Sequence, residues 1–166
     1  RGVLLERAPQ DAELSLVIGQ QYLLQSRAGE AEAAFASAVA LKPESARARL
    51  GLAGALHAQG KLDRAIAEYG FSYIADAGLV SALSDMGLAL QQSGRTQEAI
   101  ATLEKVVELA PGQAAFQRNL AALYAAAGRD AEAATAGARA ALQNAGTSAI
   151  SSSVSGLDDA RAFIPT

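Results

Sequence analysis

The chain contains no cysteine and no tryptophan, one histidine (His57), one methionine (Met86) and four prolines, and aromatic residues make up only 5% of it. Each scarcity excludes something. Without cysteine there are no disulfide staples, thiolate metal sites or cysteine nucleophiles. A single histidine leaves no cluster for zinc and little imidazole base chemistry. Charged residues are only 19% and the formal net charge is −3, which argues against a dedicated binder of phosphate backbones. No apolar run reaches the roughly 20 residues that span a bilayer. What fills the chain instead is alanine, 41 of the 166 residues. Alanine is the best helix former and lets helices approach closely. The expectation is an all-α protein of short, tightly packed helices, long enough to bury a core.

The alanines are ordered by a repeat. Four windows of 34 residues, 12–45, 46–79, 80–113 and 114–147, align without an insertion. Ile18, Leu52, Met86 and Leu120 share a column, and Gly19, Ala53, Gly87 and Ala121 share the next. Tyr22, Leu56, Leu90 and Tyr124 follow, then a turn column of Ser26, Gly60, Gly94 and Gly128. Ala31, Ala65, Ala99 and Ala133 are identical in every window. Phe35, Tyr69, Leu103 and Gly137 come four residues later, then Ala38, Ser72, Val106 and Ala140.

Each window therefore predicts two helices of about 12–14 residues joined at the turn column. Ile18 and Tyr22, four apart, lie on one helix face, as do Leu120 and Tyr124. Gly60, Gly94 and Gly128 suit the left-handed residue that ends a helix. Pro43 and Pro111 stop the second helix in two windows.

These columns resemble the tetratricopeptide repeat, with Met86, Gly87, Gly94, Ala99, Leu103 and Pro111 making the third window the best match. The resemblance implies a right-handed superhelix of antiparallel helix pairs with four full repeats. There are departures. Ser15, Arg49, Leu83 and Gln117 stand where the family often has Trp. Gly137 replaces a bulky residue, and Ala77 and Ala145 replace the closing Pro. The second helix of window four is nearly all small residues and is expected to be the least anchored and to fray.

Outside the array, Pro9 sits one repeat before Pro43. Residues 1–11 are expected to be the end of a preceding repeat in a longer protein, with an N-terminal cap as the alternative. Any lipid anchor would then lie upstream. Residues 148–166 read as a Ser-rich linker, Ser148 to Gly156, and a tail. In the tail Leu157, Phe163 and Ile164 either fold back, dock on a neighbouring molecule or stay disordered. The array ends also offer a surface for homo-oligomerisation.

The resemblance implies a protein or peptide partner held on a concave face lined by first helices. The residues expected to contact it are Leu16, Gln20, Leu23, Arg47, Leu50, His57, Ser84, Asp85, Leu88, Gln91, Arg118 and Asn119. Gly51, Gly54 and Gln92 share that face. Leu16, Leu23, Leu50 and Leu88 suit either an apolar ligand stripe or ordinary inter-repeat core. The Asn119 amide both donates and accepts, as a peptide backbone requires. Asp85 between Arg47 and Arg118 opposes a C-terminal carboxylate as ligand. Phe71, where the pattern wants a polar residue, marks either a second contact surface or a partly buried position.

Nothing in this set predicts an enzyme, a cofactor, a metal site or nucleic-acid binding. His57 has no evident partner, and Gly51 and Gly54 lack the Lys and Ser/Thr of a phosphate loop. The Ala-rich runs also resemble repeat proteins of tight-adherence (Flp, TadD-like) pilus assembly. That resemblance implies a scaffold assisting a bacterial pilus or secretion apparatus, in the periplasm or anchored at the outer membrane. The alternatives are a cytoplasmic repeat chaperone for secreted substrates and an interaction domain of a larger enzyme.

Overall fold

Every repeat turns at the same place for the same reason. The computed structural model describes the backbone of residues 11–161 and the side chains of residues 11–146. At the turn column Ser26, Gly60, Gly94 and Gly128 all have positive φ, between 59° and 81°. The amide three residues past each first helix reaches back five residues: Arg27 to Tyr22, Lys61 to Leu56, Arg95 to Leu90 and Arg129 to Tyr124, at 2.8–3.0 Å. The turn residue itself donates three residues back in each case. This paired closure satisfies carbonyls that would otherwise be orphaned and fixes the direction of the next helix. Ser26 holds without strain relief what glycine does freely in the other three windows.

Eight helices result among the described residues: α1 (Ala12–Leu24), α2 (Ala28–Leu41), α3 (Ala46–Ala58), α4 (Leu62–Ala75), α5 (Val80–Gln92), α6 (Thr96–Leu109), α7 (Ala114–Ala126) and α8 (Asp130–Arg161). They form a solenoid of antiparallel pairs, all-α as the repeat predicts. First helices begin on side-chain caps where the sequence supplies them. Asp11 accepts from the amides of Glu13 and Leu14, and Ser45 from that of Ala48. Second helices begin on a basic residue paired one turn on: Arg27 with Glu30, Arg95 with Glu98, Arg129 with Glu132. Arg27 and Arg129 also lie over the rings of Tyr22 and Tyr124, each 4.7 Å from the centroid.

The chain forms two compact units that divide between Leu103 and Glu104. In the first, α1 packs on α2, α2 on α3, α3 on α4 and α4 on α5, and α1 also touches α3. Ala31, Ala65 and Ala99 are fully buried, because only a methyl group fits between paired helices. Phe35 is 1% exposed, and a Cβ on Gly19 would come within 2.8 Å of its ring. Ser72, also fully buried, donates to the Ala46 carbonyl at 2.8 Å and so carries no unpaired hydroxyl into the core. In the second unit α7 packs on α8, and the Tyr124 hydroxyl donates to Glu104 at 2.8 Å.

One expectation changes and another lies beyond what the structure describes. The Ser-rich stretch continues α8, which is helical to Arg161. No proline interrupts the backbone between Pro111 and Pro165, and serine alone does not break a helix. Of the expected end of a preceding repeat, residues 1–11, all but Asp11 lie outside the described residues, as do the side chains of Leu157, Phe163 and Ile164.

Candidate peptide-binding face

The first helices of windows one and two build a cavity. Gln20 and Leu23 on α1, and Arg47, Leu50, Gly51 and Gly54 on α3, line a space of about 280 Å³ whose floor is Phe35 of α2. Positions 20 and 23 are one turn apart, and so are 47, 50 and 54 within two turns, so each helix presents one stripe. Phe35 reaches the floor because α1 and α3 are both glycine where its ring lies. A Cβ at Gly51 would also run into that ring. Arg47 stands at the rim with its side chain 66% exposed and the Glu13 carboxylate 3.9 Å away. An exposed pair at that distance holds the arginine only weakly.

Further along the same unit, His57 joins three helices. Its Nδ1 lies 3.1 Å from the Tyr69 hydroxyl of α4 and its Nε2 2.7 Å from Gln92 Oε1 of α5. Both contacts are satisfied together when Nε2–H donates to the amide and Nδ1 accepts from the phenol. The His57 and Tyr69 rings meet edge to face, 6.0 Å apart. Burial pushes the Tyr69 phenol up, and the Asp85 charge adds to it. The Asp85 carboxyl is itself raised by burial, with His57 pulling the other way. Asp85 still reaches solvent, so it remains available to a partner.

The twelve predicted contacts thus fall into groups. Gln20, Leu23, Arg47 and Leu50 come together in the cavity. Leu16 is 3% exposed and belongs to the core, which removes it from any ligand surface. His57 is half-buried in its hydrogen-bonded bridge, so its absence of a partner in the sequence reading is corrected. On α5, Ser84 and Gln91 are half-buried, while Asp85 and Leu88 are exposed. Arg118 and Asn119 are exposed on α7, in the second unit. Sequence reasoning missed the floor, Phe35, because it sits on a second helix. The available signal was Gly51 and Gly54 on one helix face opposite a bulky second-helix column. Phe71 is half-exposed, and the Arg49 guanidinium lies over its ring at 5.2 Å while pairing with Glu68 at 3.0 Å.

Among the described residues, no helix is long and apolar enough to cross a membrane, and no three His, Cys, Asp or Glu side chains gather as a metal site. The fold defines an all-α helical-repeat protein built from paired helices. The chain belongs to the tetratricopeptide repeat family, whose model matches residues 22–70 and 90–155. Comparison with curated proteins finds no sequence match. Solved structures do match. A crystal structure of MamA has a TM-score of 0.82 at 21% identity, covering 87% of this chain and 85% of that one. MamA residues 41-end from Desulfovibrio magneticus RS-1 align with a TM-score of 0.73 at 20% identity, over 80% and 75% of the two chains. A Cut9–Hcn1 hetero-tetramer aligns at 0.73 and 22%, over 84% of this chain and 27% of that one.

The matches correct the pilus reading. Structures alike over most of both chains include several of MamA, whereas the pilus resemblance rested on alanine-rich runs alone. The expected role in a pilus or secretion apparatus is overturned, and the periplasmic or outer-membrane location, which rested on it, falls with it. The reason is physical. Alanine-rich runs report close helix packing, which any such repeat requires, and so do not distinguish one repeat protein from another.

Proposed function

We propose that the chain is an interaction scaffold that holds an extended segment of a partner protein against the first-helix faces of α1, α3 and α5. The observation that carries this is the cavity between α1 and α3, lined by six residues of the face expected from the repeat register. Further along lie the exposed Asp85 and Leu88 and the His57 bridge. A structural neighbour, the Cut9–Hcn1 hetero-tetramer, contains a chain of this fold in a protein complex, which supports a protein partner.

The test is a titration of the full chain against an array of peptides in extended form. Arg47→Glu and Leu50→Asp are each expected to weaken binding at least tenfold. Leu50 is only half-buried, so the circular dichroism spectrum is expected to persist. Binding left unchanged by both substitutions would move the site elsewhere.

A further inference from the structure

The cavity carries a signature of what enters it. Gly51 and Gly54 lie one turn apart inside α3, and glycine in a helix interior is destabilising relative to alanine. Gly51 has a structural reason, since a Cβ there would strike Phe35. Gly54 has none, because a Cβ there would meet nothing within 4 Å. The same column holds Gln20, Leu88 and Ala122 in the other windows. Glycine at 54 therefore keeps open a space that packing does not require to be open, and that space is the cavity.

Its volume, about 280 Å³, lies just below the roughly 300–1,000 Å³ of pockets for small molecules and suits a protruding side chain. Leu23, Leu50 and Phe35 make the walls and floor apolar. At the rim, the Gln20 amide has no hydrogen-bond partner among the described residues, and Arg47 is held only by the exposed Glu13.

We propose that this cavity is the anchor pocket for one bulky apolar side chain, leucine, methionine or phenylalanine, of an extended peptide with a carboxylate residue beside the anchor, and that Gly54 keeps the pocket open. This rests on the first-helix face being the binding face. Gln20 pairs with the peptide main chain next to the anchor, as an amide that donates and accepts can. Arg47 exchanges Glu13 for the peptide carboxylate, which sets a preference for Asp or Glu over Lys or Arg at that position.

The test is an NMR titration of the isotope-labelled full chain with peptides Gly-Ser-Asp-X-Asp-Ser-Gly, with X as Leu, Met, Phe or Ala. The expected result is saturable shifts at Gln20, Leu23, Gly51 and Gly54 for the large X residues, with Ala at least tenfold weaker. Gly54→Leu fills the pocket and is expected to abolish those shifts. Its thermal midpoint is expected to hold or rise, because a helix-breaking residue is replaced by a helix former, so loss of fold does not mimic loss of binding. Peptides that shift the first-helix faces equally for Ala and Leu, and equally in Gly54→Leu, overturn the anchor pocket and leave the binding face standing. Shifts confined to second helices, or none at millimolar peptide, overturn both. Concentration-dependent shifts at these amides without peptide put a second copy in the pocket and also overturn the proposal.

Discussion

Two fourteen-residue stretches hold the same register position three repeats apart, and they are held very differently. Residues 28–41 form α2, and residues 130–143 open α8. In α2, Ala31, Ala34, Phe35 and Ala38 are buried. In the α8 stretch only Ala136 and Ala140 are, and Ala133 is half-buried where Ala31 is fully buried. Phe35 is keyed between Gly19 and Gly51, whereas its counterpart Gly137 would place a Cβ in open space. Glu32 ties α2 to Gln59, Lys61 and Arg64, whereas its counterpart is Ala134. Both stretches are helices, since alanine and the turn chemistry suffice for that. Anchoring is a separate matter and depends on one bulky residue and one charged residue per helix.

The sharpest way to break this comparison is Phe35→Ala. The ring is fully enclosed, so its loss is expected to cost about 3–5 kcal/mol in urea unfolding. A loss below about 1 kcal/mol would show that α2 is no better anchored than α8. Gly51→Ala follows. Alanine normally favours a helix, but here the Cβ meets a ring that packing does not let move. A net loss of about 1–3 kcal/mol is expected from overpacking. A gain would mean that Phe35 is free to shift and that the key is loose.

The same contrast shows what the sequence makes legible. Helix positions follow from the 34-residue period and the turn column, because each turn uses one residue at positive φ and two backbone bonds that local sequence alone dictates. The faces of first helices follow too, which is why Gln20, Leu23, Arg47 and Leu50 come together. What local sequence does not report is reach between helices. Phe35 enters the cavity from a second helix, Gln92 and Tyr69 reach His57 from two others, and Leu16 turns inward rather than out. Serine-rich composition at 148–156 reads as a linker because serine favours caps and turns. Yet nothing there removes a backbone donor, and the helix runs on.

A smaller test concerns charge. The Glu32 carboxyl is held below its ordinary value of 4.5, first by the hydrogen bond from Lys61, then by Gln59, with Arg64 adding to the field. A group with a lowered folded pKa stabilises above its unfolded value, and the benefit is lost as pH falls through the folded value. Its partners Lys61 and Arg64 are 43% and 63% exposed, and solvent screening there keeps the effect modest. Glu32→Gln is expected to cost about 1 kcal/mol at neutral pH. As pH falls below 4.5 and through the lowered folded value, the two proteins are expected to converge. Asp85 contributes with opposite sign, its raised carboxyl favouring the fold as pH falls, but it is present in both proteins and cancels in the difference. A gap that persists at low pH would assign the loss to packing rather than to the ion cluster.

The smallest effect tests the other side of the comparison. Gly137→Ala adds a methyl group where nothing lies within 4 Å, so there is no ring to strike and no cavity to block. The gain is then the removal of a flexible residue from a helix interior, about 0.5–1 kcal/mol in the stabilising direction. The same substitution at Gly51 is expected to lower stability. The two substitutions are chemically identical and sit on helices of one repeat type, so a difference in sign isolates the role of the bulky column. If Gly137→Ala also destabilised the protein in urea unfolding, α8 would carry a close packing partner at that position, and the contrast between a keyed helix and a smooth one would fail.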